Sequence, residues 1–565
     1  MTGSIDIIKG FKDILYALIF RPRSQQAGVI MFFSIAAGDF LFRIYLFPIY
    51  SSFLNNKGFN PNWIDLDVVF APIVWLTFFA IILASLTIVI TFAAQNVPKL
   101  IDLYMDNWPS LLFVWWSTAS LVHALTIKVL AESEVKIASS IIFNYHILLS
   151  ISLAIGFPFI FYILRSTKTS NVIKNILQSS YSSINALVKK GPNGKFSDHE
   201  IAKIQYNLFE ELNQLIDLLI YVNFKEPKAQ VIQGIGTLVS YYVENKKKIP
   251  KSFFVIQKII QQDISFRTMK SLMDEVENSH TFYEQKSFRL IGNVYNIFLD
   301  TGEFDLSTLC VEQLSQLGKK AVENKDQSLV EVIIIRLNTY FRFALKHGQQ
   351  HNEPRNLYNL VFHYGQFVDY LAENDEIERT KQCIEYFVFY GQQCFNAISR
   401  AKSLAFILDT IASEMKKILV KIYSENWDRK IQKEMLDKFL LFDNFKDMNR
   451  DFAIEFFSQN HGIRLLQIGL ALFYLNQSED KFALTIAKDT LQDVKLLGET
   501  LFLKNMSVIF GRLKVSGPTF WEDTDRGNLN IYYTEHHSEI FKFKRIQEEL
   551  LLNEKTDILK DRNLD

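Results

Sequence analysis

The chain has 565 residues, and its 61 Lys and Arg residues balance its 61 Asp and Glu residues. This balance excludes the basic surface that nucleic-acid-binding proteins need, so no nucleic acid is expected among the partners. The three scattered cysteines, Cys310, Cys383 and Cys394, are too few for a disulfide framework and are typical of a reducing compartment. Residues 1–170 hold only 11 Lys or Arg and 9 Asp or Glu residues. Composition therefore distinguishes an apolar N-terminal region from a remainder that resembles a soluble protein.

The first element is a short amphipathic segment, which ends at Pro22. Its apolar residues recur at helical spacing, with charged residues between them. They are Ile7, Ile8, Phe11, Ile14, Leu15 and Leu18. This pattern predicts a helix over residues 1–24 that lies in the membrane interface. A helix that packs on the soluble domain would give the same pattern.

Four apolar stretches follow, each long enough to cross the hydrocarbon core, which takes roughly 20 residues. They run over about 27–50, 68–94, 108–127 and 137–164. Aromatic residues such as Tyr50, Trp108 and Tyr162 lie near their ends, as interfacial anchors do. The sequence therefore predicts an all-α protein whose residues 25–168 form a four-span transmembrane bundle.

The orientation follows from the Lys and Arg residues near the ends of the spans. Eight of them fall on the side that carries both termini, and three fall on the other side. Because positive residues concentrate in the cytoplasm, we expect a multi-pass protein of the cell membrane with both termini cytoplasmic. The chain after the fourth span is then cytoplasmic as well.

A short motif follows the second span. The sequence Ala94-Gln95-Asn96-Val97-Pro98-Lys99-Leu100-Ile101 precedes Met105-Asp106 and a third, aromatic span. Over about residues 70–180 the chain resembles a family of uncharacterised bacterial predicted membrane proteins. The family's Gln-x-x-Pro-Arg/Lys-Leu turn lies at the same place, after a span rich in Ser and Ala. The resemblance implies the four-span layout and no activity, and the pattern of the family's soluble part is absent here.

Two charged residues lie inside the first span. Asp39 and Arg43 are four residues apart, which places them on one face of an α-helix. Each would cost about 2.5–3.5 kcal/mol unpaired at the bilayer centre, so we predict an intramembrane ion pair. The pair either fixes helix packing or serves as a permeation or gating element.

The second span carries a stripe of small residues at spacings of three and four. The stripe consists of Thr77, Ala80, Ala84, Thr87 and Thr91. Small residues allow close packing of membrane helices, and threonines can hydrogen-bond across them. The same stripe could line a pore in an oligomer.

Histidines occur in the third and fourth spans. His123 and His146 are expected at a similar depth, in the outer half of the bilayer. They are interpreted either as a proton-linked polar pair or as packing groups that are hydrogen-bonded.

The pattern of residues 169–515 predicts a large helical cytoplasmic domain, whose helices are separated by short turns with Pro, Gly and Asn. Near 463–490 the residues Ala471, Tyr474, Ala483 and Ala487 resemble a tetratricopeptide hairpin. A period of 34 residues is not kept, which favours a degenerate helical repeat or a single irregular helical domain. Residues 516–565 are predicted to form a C-terminal tail with one helix.

Motifs for catalysis, cofactors or metals are missing from the sequence. No zinc-protease motif, nucleophile elbow or dinucleotide fingerprint occurs, and no metal or cofactor is expected. The favoured hypothesis is a membrane anchor for a cytoplasmic domain that binds a protein partner. The alternative is an oligomeric ion channel or transporter whose cytoplasmic domain is regulatory.

Overall fold

The structure is a computed structural model. It describes residues 23–57, 70–96, 108–135, 137–166, 168–267, 270–443, 450–524 and 527–562. The chain divides into a first unit, Met1–Ile176 with Asp217–Pro227, and a second unit, Leu177–Ile216 with Lys228–Asp565. Apart from its last two residues, the predicted interfacial helix over residues 1–24 lies outside the described residues.

The helices of the first unit are strongly apolar and two of them are interrupted by a π-helical turn. They are α1 (Arg23–Leu41), a π turn (Phe42–Leu46), α2 (Phe47–Asn56), α3 (Phe70–Asn96), α4 (Trp108–Glu132), α5 (Ala138–Ile142), a second π turn (Phe143–Leu148) and α6 (Leu149–Ser166). Each π turn continues directly from one helix into the next, so α1–α2 and α5–α6 are continuous rods.

Three described helical stretches are long and apolar enough to cross a membrane. They are Gln25–Asn56, Trp108–Glu132 and Ala138–Tyr162. The described part of α3 supplies a shorter apolar stretch, Ala71–Ser85. The described residues thus contain three candidate spans where the sequence predicts four, so a four-helix membrane bundle is not established. Several side chains of α3 after Ser85 lie outside the description.

The first unit is apolar on its outside. Phe33, Ile49 and Phe161 are 71%, 69% and 69% exposed. Its interior combines a few large apolar side chains with small and polar ones. The buried residues include Ile35, Phe42, Ala71, Trp75, Ser117, Ala119, Ser120, Ala124, Ser140, Phe143 and Asn144. Such a distribution suits an apolar solvent rather than water.

The rest of the chain is a succession of helices. They are α7 (Thr169–Lys190), α8 (Asp198–Tyr221), α9 (Lys225–Asn245), α10 (Lys258–Gln261), α11 (Ile264–Arg267), α12 (Met273–Asn278), α13 (Phe282–Thr301), α14 (Phe304–Glu323), α15 (Gln327–His351), α16 (Arg355–Glu373), α17 (Ile377–Ile398), α18 (Ala405–Ser424), α19 (Arg429–Leu440), α20 (Arg450–Gln459), α21 (Gly462–Asn476), α22 (Asp480–Thr490), α23 (Gln492–Leu497), α24 (Glu499–Val515) and α25 (Ile540–Arg562). Two short antiparallel strands, β1 (Thr519–Thr524) and β2 (Gly527–Leu529), precede the last helix.

The second unit is built from helical hairpins that repeat about every 50 residues. The turns of four hairpins each contain one residue with a left-handed backbone, namely Lys325, Asp375, Asn426 and Ser478, at φ between 56° and 61°. The first helices of successive hairpins, α14, α16, α18 and α21, pack on one another. The body is therefore a helical repeat, and its repeat exceeds the 34 residues of a tetratricopeptide. The hairpin predicted near 463–490 is α21–α22.

Glycines allow neighbouring first helices to approach closely. A side chain at Gly365 of α16 would collide with Glu414 of α18, and one at Gly462 of α21 would collide with Asp409 of α18. Gly391 of α17 faces the ring of Phe442 in the same way, and Phe442 lies in the short 3-10 turn Leu441–Asp443 that follows α19. These contacts fix the stacking of the repeats, because no larger residue fits without moving its neighbour.

The C-terminal segment packs on the last hairpin. Phe543 of α25 is fully buried, and Gln547 donates to Thr490 Oγ1 of α22 at 2.7 Å. Residues of α21 are buried from Gly462 to Leu472 without interruption. A helical array needs such a cover at its end, since the last repeat otherwise exposes its apolar face. The segment holds the predicted single helix and also the two short strands.

Buried ion clusters join elements of the second unit. The guanidinium of Arg464 lies 3.1 Å from Asp443, 2.5 Å from Asp489 and 2.8 Å from Asp493. Burial raises the pKa of Asp443 to about 7, against the opposing charge of Arg464. In the second cluster, Lys246 Nζ lies 2.7 Å from Glu284, whose side chain is fully buried. These ion pairs connect helices that are distant in sequence.

Candidate functional site

A cluster of polar side chains lies among the apolar helices of the first unit. Asp39 comes from α1, Trp75 from α3, His123 from α4, Ser140 from α5 and Asn144 from the second π turn. Trp75, Ser140 and Asn144 are buried, while Asp39 and His123 are only partly so. Polar and ionisable groups among strongly apolar helices are rare and commonly functional, which makes this cluster the candidate site.

Asp39 is held by two neighbours on other helices. The hydroxyl of Ser140 donates to Asp39 Oδ2 at 2.7 Å. His123 Nε2 faces the same oxygen at 3.5 Å. The other oxygen, Asp39 Oδ1, is buried without a hydrogen-bond partner among the described residues. The carboxyl group is therefore only half satisfied.

Asn144 connects the cluster to two more helices. Its side chain accepts a hydrogen bond from Trp75 Nε1 at 2.8 Å. Its Nδ2 lies 3.0 Å from His123 Nδ1 and donates to the backbone carbonyl of Ser120 at 3.2 Å. One amide thus fixes the positions of a tryptophan and a histidine, because three of its four hydrogen-bonding capacities are used.

The π turns explain why Asp39 and Arg43 do not meet. The first π turn begins at Phe42, between the two residues. Its hydrogen bonds run from residue i to i+5, so the α-helical neighbourhood of i and i+4 is lost there. Arg43 is exposed, and no ion pair within 4 Å joins it to Asp39 in the described part of the chain. The predicted partner is replaced by His123 and Ser140.

The two histidines of the predicted polar pair have different neighbours. His123 contacts Asp39 and Asn144. His146, which is exposed, shares a hydrogen bond of 2.7 Å between its Nδ1 and the hydroxyl of Tyr50. His146 and Asn144 both belong to the second π turn, which directs one toward α2 and the other toward α4.

The small-residue stripe of α3 is on the surface of the single chain. Thr77, Ala80, Ala84, Thr87 and Thr91 are all exposed. The three threonine hydroxyls donate to the carbonyl four residues earlier, at 2.7–2.9 Å. The stripe is therefore not buried against another helix within the described part of the chain, and its packing role stays a prediction.

Close packing instead uses small residues of α4. Ser117, Ala119, Ser120 and Ala124 are buried there. Three of them stand at spacings of three and four, the same signal that singled out α3. This pattern was present in the sequence, but the buried and exposed faces of two apolar helices cannot be distinguished by periodicity alone.

Other ionisable groups lie beneath the C-terminal segment of the second unit. Tyr532 donates to Asp409 Oδ2 at 2.7 Å, and burial raises the pKa of Asp409 to about 6. Lys416 Nζ donates to the carbonyl of Tyr533 at 3.3 Å, and burial lowers its pKa to about 8. No group of three or more His, Cys, Asp or Glu residues that could hold a metal occurs among the described residues.

The comparisons with known proteins identify no relative that assigns a function. No protein-family model matches the chain, and no curated protein matches it significantly. One solved structure is a circular tandem repeat protein with novel repeat topology and enhanced subunit contact surfaces. It is 13% identical with a TM-score of 0.35, over 84% of this chain and 100% of that one. A likeness at this TM-score indicates no function for this chain.

Proposed function

We propose that the protein is an integral membrane protein that anchors a helical-repeat, protein-binding domain on the cytoplasmic side. The stacked 50-residue hairpins of the second unit are the observation that carries the proposal. Arrays of helical hairpins present a long, continuous surface made of side chains from successive repeats, and such surfaces suit extended protein partners. The apolar exterior of the first unit supports the membrane part.

The membrane layout has a direct test. A cysteine introduced at Ser133, between two predicted spans, should react with a membrane-impermeant thiol reagent in intact cells. A cysteine at Ser170 should react only after the cells are lysed. The native cysteines are buried, so the background should be low. Labelling of the Ser170 site in intact cells would overturn the proposed orientation.

The binding role can be tested with a photo-crosslinking residue in the full chain. Gln366 is exposed on α16, a first helix of the array, and Glu378 is exposed on the second helix α17. Crosslinker at Gln366 should give one dominant protein adduct in cells, and crosslinker at Glu378 should give a different pattern or none. Absence of a protein adduct at Gln366 and at other first-helix positions would count against the proposal.

A second candidate function is an oligomeric ion channel or transporter. The partly satisfied Asp39 beside His123 favours it, since charged groups among membrane helices often line ion or proton pathways. The exposed stripe of α3 would then be a contact between subunits. A symmetric oligomer of the purified protein, with ion flux in liposomes, would support this candidate, and a monomer without flux would exclude it.

A further inference from the structure

Two ionisable side chains of α18 lie under a non-helical segment of the same chain. The segment, residues 530–536, connects β2 to the turn before α25 and is called the tyrosine segment below. The hydroxyl of Tyr532 donates to Asp409 Oδ2 at 2.7 Å. About two helical turns further along α18, Lys416 Nζ donates to the backbone carbonyl of Tyr533 at 3.3 Å. The tyrosine segment therefore covers one acidic and one basic group, and it meets each with a neutral group.

Neither of these two charges has an opposite charge beside it among the described residues. Arg512 acts on Asp409 only from beyond ion-pair distance, and Lys417, the charged neighbour of Lys416, has the same sign. Burial raises the pKa of Asp409 to about 6 and lowers the pKa of Lys416 to about 8, so both groups are mainly charged near pH 7. A charge that is removed from water is costly unless it is paired. Opposite charges in a partner would remove this cost.

The side chains of the tyrosine segment show where such opposite charges would lie. Tyr532 reaches Asp409, as described above. Thr534 is buried against α21, where Gly469 leaves a space beside it. A Cβ at Gly469 would lie 3.9 Å from Thr534 Cβ and 3.1 Å from Lys416 Nζ, so Thr534 and Lys416 border the same space. A cation in place of Tyr532 and an anion in place of Thr534 would therefore each approach an opposite charge.

The covered surface belongs to the face of the array that carries the crosslinking position Gln366. Gln366 in α16 stands nine residues before Asp375, the left-handed residue of its hairpin turn. Lys417 in α18 stands nine residues before Asn426, the corresponding turn residue, and both Gln366 and Lys417 are exposed. The two positions are equivalent in successive repeats, and Lys416 is adjacent to the second. The tyrosine segment thus occupies one end of the surface that is proposed to bind a partner.

We propose that Asp409 and Lys416 bind a non-helical segment of a protein partner, which carries a basic residue and, two positions later, an acidic residue. The basic residue pairs with Asp409 and the acidic residue pairs with Lys416. The partner segment displaces the tyrosine segment, which covers the two charges when no partner is bound. This inference rests on the proposed function and deepens it, because it names the chemistry of the partner.

The test uses purified full-length protein in lipid nanodiscs and two fluorescent peptides. The first peptide copies residues 528–538. The second, called the charged peptide, has the same sequence with Tyr532→Arg and Thr534→Asp. Fluorescence anisotropy at about pH 7 should show that the charged peptide binds about tenfold more tightly or better, since it alone supplies both opposite charges. Equal affinity of the two peptides, or no binding of either, would overturn the proposal.

Variants of α18 separate charge recognition from stability. Asp409→Asn and Lys416→Gln remove charges that lack an opposite charge, so the fold should stay at least as stable. Each should nevertheless weaken binding of the charged peptide about tenfold. Lys421→Gln is the matched control, because Lys421 already lies 3.6 Å from Glu373 and 3.3 Å from Glu425, and it should leave binding unchanged. Unchanged binding in both Asp409→Asn and Lys416→Gln would contradict the proposed site.

Displacement of the tyrosine segment has its own test. Tyr532→Phe removes the hydroxyl that donates to Asp409, so the segment should be held less firmly and the charged peptide should bind more tightly. Weaker binding in this variant would show that the tyrosine segment is part of the site and is not displaced. Failure of the proposed function has a different signature. Peptide binding that depends on both charges, without a protein adduct at Gln366 in cells, would support the site and remove the cellular partner.

Discussion

The two units distribute polar and apolar groups in opposite ways. In the first unit large side chains such as Phe33 and Phe161 are exposed, whereas Ser120 and Asn144 are buried. In the second unit the large apolar side chains Tyr340 and Phe367 are buried, and many ion pairs, such as Arg545 with Glu549, lie on the surface. Both distributions have the same physical cause. A buried polar group is costly unless it is hydrogen-bonded, and the removal of apolar surface from water is favourable.

The units also differ in how they treat buried charge. The second unit places its buried charges directly against opposite charges, and one cation, Arg464, faces three carboxylates. The first unit holds Asp39 beside Ser140 and His123, and Asp39 Oδ1 has no hydrogen-bond partner among the described residues. In both units a buried carboxylate oxygen lacks a hydrogen-bond partner among the described residues, as Glu284 Oε2 and Asp39 Oδ1 do. The units therefore differ in the groups beside the carboxylates and not in how completely each oxygen is paired.

The largest expected effect comes from breaking the cluster of the second unit. Arg464→Met leaves the buried Asp443 and the partly buried Asp489 and Asp493 without their cation, which should cost about 3–5 kcal/mol of unfolding free energy. Since the pKa of Asp443 is raised to about 7, protonation relieves the repulsion, and the loss should be larger at pH 8 than at pH 6. The fall in Tm measures the effect.

The matched control for this change is Arg545→Ala, which breaks the exposed pair with Glu549. An exposed pair of this kind contributes about 0–0.5 kcal/mol, so Tm should hardly move. Equal shifts for the two variants would show that the Arg464 cluster is not a buried structural element.

The next effect tests whether the first unit faces lipid. Phe161 is 69% exposed in the first unit, and Phe389 is 51% exposed in the second. Phe161→Asp should lower the yield of membrane-integrated protein, at a cost below the about 2.5–3.5 kcal/mol of an aspartate at the bilayer centre, because Phe161 lies near the end of the candidate span Ala138–Tyr162. Phe389→Asp should be nearly silent, as surface substitutions usually are. A silent Phe161→Asp would remove the contrast between the two exteriors.

Close packing of the repeats predicts a smaller effect. Gly391→Ala places a methyl group against the ring of Phe442, and overpacking of this kind costs about 1–3 kcal/mol. Gly511 lies in α24 with nothing within 4 Å of its missing side chain. Gly511→Ala should therefore raise stability by about 0.5–1 kcal/mol. Opposite shifts in Tm would confirm the difference, and a neutral Gly391→Ala would argue against tight stacking.

The last expected effect depends on pH. Burial raises the pKa of Asp409 to about 6, so the folded state retains a proton that the unfolded state releases from about pH 4 upward. The unfolding free energy should therefore fall as the pH rises from about 4 to 6. Asp409→Asn keeps an acceptor for Tyr532 without the charge, and it should be more stable than wild type at pH 8 by about 3 kcal/mol.

At about pH 4 the advantage of Asp409→Asn should vanish, because Asp409 is then protonated. Thermal unfolding of both proteins at the two pH values measures the difference. A gain of the same size at both pH values would mean that the ionisation of Asp409 is not its cause.

Several features were predictable because they depend on residues that are close in sequence. Long apolar runs around Phe33, Leu125 and Leu153 do fall in helices long enough to cross a membrane. The turn at Ser478 lies between two periodic apolar segments, which is why a hairpin was predicted near 463–490. The repeat length was not predicted, although a signal was present, because three of the turns carry a Glu-Asn pair at residues 323–324, 373–374 and 425–426.

The candidate site was predicted only in part. Asp39 and His123 stood out because ionisable residues are rare in apolar segments. Ser140, Asn144 and Trp75 did not, since serine, asparagine and tryptophan are common near membrane helices. Their role depends on contacts across 101 residues between Asp39 and Ser140, and across 69 residues between Trp75 and Asn144.

The sequence by itself determined the helical class, the apolar N-terminal region and the residues able to carry charge within that region. Only the tertiary structure decided which of those residues meet. The π turn at Phe42 shifts Arg43 away from Asp39, and the packing of α1 against α4 and α5 gives Asp39 its neighbours. The physical reason is that helical periodicity describes neighbours within one helix. The partners of a buried polar group are set by which helix faces pack together.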